Sequence, residues 1–522
     1  MQKSITLNLL PHEAENEIII RDRLAAVLAI SHDDITGFHI LKKSIDARTR
    51  QVRINLVVVV FVMEPFVQRV PQHIYFGNVS TSKHAAIVVG SGPAGLFAAL
   101  KLIEQGIKPL IIERGKNIRD RRRDLARLNR EGLVNPDSNY CFGEGGAGTY
   151  SDGKLYTRSN KRGDINRILN LFVQFGADKK ILYEAHPHIG TNKLPQIISN
   201  MTQQIRDCGG EIFFEKRLTD FGIVNGKVHD VLTHDGNRFE CDALILSTGH
   251  SARDIFQLLH HKKVLIEFKP FALGVRIEHP QPLIDSIQYH SETRNELLPP
   301  ASYNLVQQVN GRGVFSFCMC PGGIIAPAAT NEGELVVNGW SPSKRNNPFA
   351  NSGMVVPVER EDISNYEKLH GPLSGMAFQQ SVEQKAFIHG GGSFVAPAQR
   401  MTDFVNNKIS ANLPDCSYLP GVHSASMKDI LPEFILNRLK LSFKEFGKKM
   451  KGYLTNEALV VATESRTSSP VRIPRNFDTL QHPQLTNLYP CSEGAGFAGG
   501  IISAAMDGEK VATAVAQTLK NN

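Results

Sequence analysis

Apolar and polar residues change period several times along the chain, and those changes mark its organisation. Ile5 to Leu9 alternates as a strand. Glu17 to Ile30 carries the three-to-four-residue spacing of an amphipathic helix, and Phe38 to Asp46 and Val52 to Met63 alternate again. This β-α-β-β order predicts a small α+β layer over residues 1–80. Within it, the run Val57 to Val60 reads as a strand buried on both faces. Residues 64–83 hold Pro65, Pro71, Gly77 and several hydroxyl side chains, and read as a linker.

The pattern changes at Ala85. Ala85 to Val89 is a short apolar strand, Leu96 to Gln105 is helical, Gly106 closes the helix, and Lys108 to Glu113 is the next strand. That is a complete βαβ unit. From Leu194 the order is helix, strand (Glu211 to Glu215), a meander around Gly222 to Phe239, and a strand from Ala243 to Ser247. Residues 265–455 are mixed and rich in Gly and Pro, and read as an inserted α+β domain. Residues 456–522 then complete the domain begun at 84–264, closing with a helix from Ile501 to about Leu519. The predicted class is α/β: a Rossmann-like domain carrying an inserted α+β domain and a small N-terminal one.

Composition narrows this only a little. With 522 residues, 41% hydrophobic and 21% charged, the chain holds enough apolar material for two or three cores. The net charge of +8 permits anionic partners without requiring one. Its densest basic stretch, Arg119 to Arg130, reads as a solvated helix face. The seven cysteines are scattered, with no zinc or disulfide spacing, so no metal site is expected. No apolar run approaches a membrane span, and the first residues lack a signal-peptide pattern, so a reducing, cytoplasmic setting is expected.

Four motifs carry chemistry. Gly90-x-Gly92-x-x-Gly95 follows a strand and opens a helix, with Glu113 eighteen residues beyond Gly95. Gly90 permits the tight turn, Gly92 lets the backbone approach a pyrophosphate, and Gly95 lets helix and strand pack closely. Pro93 and Ala94 form the helix start, whose free N–H groups attract phosphate. Glu113 can accept from a ribose diol, and Arg114 adjoins it. The second motif is the glycine-dense stretch Phe142 to Lys154, in which Gly146, Thr149, Ser151 and Lys154 are candidate contacts for a ring lying beside the backbone. A mobile loop is the alternative. The third is the strand end at Thr248-Gly249. The fourth is Glu493-Gly494 running through Gly500 into the Ile501 helix, whose positive dipole end suits a reduced, negatively charged flavin. Their order predicts one FAD spread across one Rossmann-like domain. No second GxGxxG follows a strand, so NAD(P)H, if it is the electron donor, binds elsewhere or transiently.

These stretches resemble the poorly characterised bacterial FAD-dependent dehydrogenases (the NAD(P)/FAD-dependent oxidoreductase family), which have plastid relatives. The likeness rests on Val88 to Gly95, Gly145 to Leu155 and Pro187 to Thr191 in the first half. In the second half it rests on Pro270 to Pro280, Ser316 to Gly323, Glu464 to Pro470 and the Glu493 turn, so that it covers roughly residues 84–515. It implies FAD and an oxidoreductase activity, with no agreed substrate. Three positions depart from the family's usual residues: Ser492 where glycine is usual, Asn192 for aspartate and Trp340 for methionine.

Catalytic candidates divide between functional and structural readings. Cys318 and Cys320 could present a thiolate to the flavin, or could simply pack a strand. His250 could be an acid–base group or a cofactor cap. Arg276 could bind an anionic substrate, or pair with an internal carboxylate, and Arg466 is similar. The leading expectation is an FAD-dependent oxidoreductase for a small organic substrate. The alternatives are a flavoprotein that modifies tRNA or another nucleic acid, for which interleaved aromatics are few, and a protein that holds FAD without turnover.

Overall fold

The computed structural model describes residues 1–157 and 163–521. The N-terminal layer is a three-stranded antiparallel sheet in the order Gln2–Leu9, Arg53–Val62, Ile35–Asp46, with the helix Glu17–Leu28 packed on it. The central strand is not buried on both faces as its valine run suggested. Val58 and Val60 are fully buried, whereas Val57 and Val59 are only half-buried. Antiparallel pairing lets one face meet the core while the other looks outward.

The second sheet is parallel, in the order Leu488–Pro490, Ala243–Leu246, Ala85–Val89, Lys108–Ile112, Glu211–Phe213. Successive side chains of Ala85–Val89 feed two cores. Ala86 and Val88 join a cluster with the helices Pro93–Glu104 and Ile501–Lys520. Ile87 and Val89 join another with the meander Leu218–Glu240 and the helix Arg253–His261. Strand alternation thus builds three layers around the central strand. The two helices of the first cluster approach so closely that a Cβ on Gly508 would lie 2.2 Å from the Ala94 carbonyl oxygen.

The third sheet has seven strands, in the order Val306–Val309, Arg312–Cys320, Phe349–Val358, Phe271–Pro280, Leu459–Glu464, Ala396–Arg400, Val422–Ser424. Leu459–Glu464 pairs antiparallel with Phe271–Pro280 and with Ala396–Arg400. It therefore lies in the sheet of the insert, although the sequence expectation assigned residues 456–522 to the FAD-binding part. Its continuous burial explains the difference: the apolar run Leu459–Ala462 needs cover on both faces, and a central strand of this sheet provides it. Among the described residues, no helix is long and apolar enough to cross a membrane.

Candidate functional site

The site forms at the C-terminal ends of the parallel strands, where an open α/β sheet holds its ligands. After Ala85–Val89 the chain turns through Gly90, at φ +101°, and enters the helix Pro93–Glu104. A Cβ on Gly95 would sit 1.9 Å from the Gly90 carbonyl oxygen, so only glycine lets helix and turn close together. The helix has no side-chain N-cap, which leaves its first N–H groups open. Glu113, at the end of the next strand, is nearly buried. Its carboxylate accepts from Ser91 N and Oγ, both at 2.9 Å, from Gly115 N at 2.8 Å and from Gly143 N at 3.0 Å. It binds three loops to one another, a role the diol expectation did not include. Arg114 pairs with Asp137 and Asp254 and lies over the Phe142 ring at 4.1 Å.

The glycine-dense loop is held from behind by an arginine whose burial the sequence reading missed. The helix Ile118–Glu131 does expose Arg122, Arg123, Arg127 and Arg130, but Arg121 is fully buried. Its Nε donates to Asn139 O at 2.9 Å. Nη1 donates to Glu144 O at 2.8 Å and Thr149 Oγ1 at 3.3 Å, and Nη2 to Tyr140 O at 3.1 Å and Gly146 O at 2.9 Å. Gly143 makes room for it, since a Cβ there would lie 2.5 Å from Arg121 Cδ. Thr149, expected at the cofactor, is instead buried in this support, its hydroxyl donating to Glu144 O.

Opposite this loop, Ser247 Oγ donates to Val89 O at 2.8 Å, locking two strand ends together. The next residues, Thr248 and Gly249, face a cavity. Thr248 Oγ1 and Ser251 Oγ are buried without a hydrogen-bond partner, and a Cβ on Gly249 would meet nothing within 4 Å. His250 Nδ1 lies 3.1 Å from Glu493 Oε2. Ser492 holds φ +62°, a left-handed conformation that explains why glycine suits this position in the family it resembles. Asp507 keeps it there, accepting from Ser492 N at 2.7 Å and from both Nη groups of Arg475 at 2.6 and 3.0 Å. Gly494 packs against the Thr248 carbonyl, where a Cβ would come within 1.9 Å. The helix that follows Gly500 begins, like the one after Gly92, without a side-chain cap.

One cavity of about 320 Å³ collects these pieces. Gly90, Gly92, Pro93 and Ala94 line it, as do Glu113, Arg114, Gly146, Ser151 and Lys154. Thr248, Gly249, His250, Glu493, Gly500 and Ile501 complete the wall on the side of the parallel sheet. Gly95, Thr149 and Gly494 stand behind the lining and shape it. The insert closes the far side with Phe317, Cys318, Cys320 and the segment Val337 to Trp340. Two uncapped helix starts, two unpartnered hydroxyls and glycines with open space in front suit a dinucleotide with a pyrophosphate and a flat ring.

The catalytic candidates separate. Cys318 shows its surface to the cavity, at φ +44°, but burial pushes its thiol up to about 12. Burial raises Cys320 as well, and its Sγ–H donates to Cys318 O at 3.1 Å. A resting thiolate is thereby disfavoured at neutral pH, and both cysteines are free. Arg276 is not a substrate contact. It is fully buried off the cavity wall, bonded to Glu464 Oε2 at 2.6 Å, Asn351 Oδ1 at 2.8 Å and Cys318 O at 2.8 Å. Its carboxylate partner is Glu464, 188 residues on in sequence but on the neighbouring strand of the sheet, and its task is to hold the Cys318 strand in place.

Arg466 takes the carboxylate-pairing reading, in a buried cluster whose other members the sequence reading did not name. Arg253, on the helix after the Thr248 strand, and Arg466, at the end of the insert, share the buried carboxylates of Glu334 and Glu383. Glu383 also accepts from Ser465 Oγ at 2.6 Å. Burial alone would raise its carboxyl, but Arg253 and Arg466 outweigh that and hold it down at about 2. A second unanticipated pair lies at the cavity edge, where Arg345 bonds Asp152 Oδ2 at 2.8 Å. His188, beside it, is lowered to about 4, chiefly by burial and then by Arg345.

Comparison with known proteins fits this geometry. Residues 83–129 match an FAD binding domain, and residues 270–467 match the C-terminal domain of FAD-dependent proteins. The latter stretch contains the strand Leu459–Glu464 that the structure places in the insert's sheet. Residues 1–61 match a domain of unknown function. Among solved structures, a flavoprotein/dehydrogenase from Cytophaga hutchinsonii overlaps with 84% of this chain and 79% of its own, at 11% identity and a TM-score of 0.37. The flavin-dependent brominase Bmp2 overlaps to the same extents at 13% identity and a TM-score of 0.36. Superpositions this loose carry no functional argument. An uncharacterized protein of Clostridium beijerinckii is 40% identical over 512 residues, 95% of each chain. With that protein, this chain belongs to a family of FAD-dependent oxidoreductases, and FAD is its cofactor.

Proposed function

We propose that this flavoprotein moves electrons between its FAD and a small organic substrate seated against the inserted domain. The observation that carries the reading is the shared cavity: its sheet-side wall has the features a dinucleotide needs, and its other wall is supplied by the insert. Bound FAD would supply reversible two-electron chemistry at its ring. The chain's own residues supply the setting. The helix starts after Gly92 and Gly500 would hold the pyrophosphate and the electron-rich edge of the ring, the latter worth about 0.3–2 kcal/mol. Glu113 and Arg121 fix the loops that shape the ring's bed. Cys318, whose thiol burial keeps protonated, and His250, beside Glu493, stand on the wall together with Tyr150 and Lys154. Val337 and Trp340 make the substrate side mostly apolar and keep water out.

Purification and an absorbance spectrum test the cofactor site, and anaerobic titration with NADH and then NADPH tests turnover. Near-equimolar flavin, reduced by one of them and reoxidised by an organic acceptor, is the expected result. Flavin that neither donor reduces would favour a protein that holds FAD without turnover. A salt-sensitive mobility shift with tRNA would instead favour a nucleic-acid substrate.

A further inference from the structure

We propose that Arg121 tunes the reduction potential of the bound flavin, raising it with a positive charge held directly behind the glycine loop. The inference rests on the proposed placing of the ring beside that loop. Among the described residues, no carboxylate forms a direct ion pair with this fully buried guanidinium; the buried carboxylates of Glu113 and Glu144 act on it only through space. Its five hydrogen bonds go to backbone carbonyls and one hydroxyl, and two of the acceptors, Tyr140 O and Gly146 O, belong to residues lining the cavity. The guanidinium also lies 5.0 Å from the centre of the Tyr150 ring, another lining residue. The charge is therefore one layer of atoms behind the cavity wall and shielded from water, where a charge acts most strongly.

Burying a cation without a directly paired anion is costly. If fastening the loop were the whole purpose, a neutral polar network could do it. Glu113 and Glu144 offset part of that cost through space, and an anion that forms on the ligand beside the glycine loop would offset more of it. Two electrons and one proton convert oxidised flavin into its anionic reduced form, which carries one more negative charge. Arg121 stabilises that form relative to the oxidised one, and so raises the potential. Burial lowers the proton affinity of the side chain, but a guanidinium retains its charge in proteins.

The test compares apoprotein carrying Arg121→Gln or Arg121→Lys with the unaltered apoprotein. Each is titrated with oxidised FAD and, anaerobically, with chemically reduced FAD. The ratio of the two dissociation constants gives the shift in potential even where binding is weak, and a melting temperature is taken alongside. In Arg121→Gln, the preference for reduced flavin should fall at least tenfold, about 30 mV for a two-electron couple. Arg121→Lys should keep most of the preference despite a similar loss of thermal stability. An unchanged ratio in Arg121→Gln, or an equal loss in Arg121→Lys, would overturn the proposal and leave Arg121 a purely structural clamp. If the unaltered protein binds flavin in neither form, it is the placing of the ring that fails instead.

Discussion

Glycines around the cavity fall into two kinds, distinguished by what a methyl group would strike. At Gly95 and Gly494 it would collide with backbone carbonyl oxygens at 1.9 Å. At Gly249 it would meet nothing within 4 Å, and at Gly92 only the Gly146 Cα at 3.9 Å. Gly95→Ala and Gly494→Ala should therefore lower the melting temperature of the apoprotein. Gly92→Ala and Gly249→Ala should leave it nearly unchanged and weaken FAD binding tenfold or more, as fluorescence titration would show. Cysteine chemistry is a second matter at this scale. With its thiol pushed up to about 12, Cys318 should react with iodoacetamide at pH 7.5 on the order of a thousandfold more slowly than a free cysteine. Peptide mapping of a timed reaction measures this, and labelling at the free-thiol rate would restore the thiolate reading.

Among the elements, the strand Leu459–Glu464 decides how the insert is built. The chain leaves the parallel sheet after Ala243–Leu246, builds the seven-stranded sheet, and contributes this strand before it returns to Leu488–Pro490. Its end residue, Glu464, receives the Arg276 guanidinium and so ties the strand to the Cys318 backbone. Hydrogen exchange should protect residues 459–464 together with 271–280, and the two stretches should lose protection at the same denaturant concentration. If residues 459–464 opened instead with 243–246, the strand would belong to the parallel sheet's cooperative unit.

For the whole molecule, the Arg253–Glu383–Arg466 cluster is a buried electrostatic tie between the parallel-sheet domain and the insert. Glu383 has a carboxyl pKa lowered from 4.5 to about 2, so it contributes stability that is fully present above the unfolded value of 4.5. That contribution, roughly 3 kcal/mol, is lost as pH falls from there towards 2. Glu383→Gln should destabilise the protein strongly at pH 7, since two arginines lose their shared partner. The gap between variant and unaltered protein should narrow below pH 4.5. Urea unfolding at pH 7, 5 and 3.5 measures it, and a gap constant across that range would show that the charge of Glu383 is not what matters.

How much of this was legible in the sequence follows from the range of the interactions. The turn at Gly90 to Gly95, the Thr248-Gly249 strand end and the uncapped helix after Gly500 are each set by a few neighbouring residues. Spacing alone therefore announced the parallel sheet and a dinucleotide site. The burial of Arg121 depends on carbonyls up to 25 residues away, and Arg253 meets Glu383 across 130 positions. A string of arginines looks the same whether a loop folds over one of them or water does. Sequence fixes which groups can donate, accept or turn, because these are properties of single residues and short runs. Tertiary structure alone decides which charges are buried together and which strand closes a sheet, because burial is a property of everything that surrounds a residue in space.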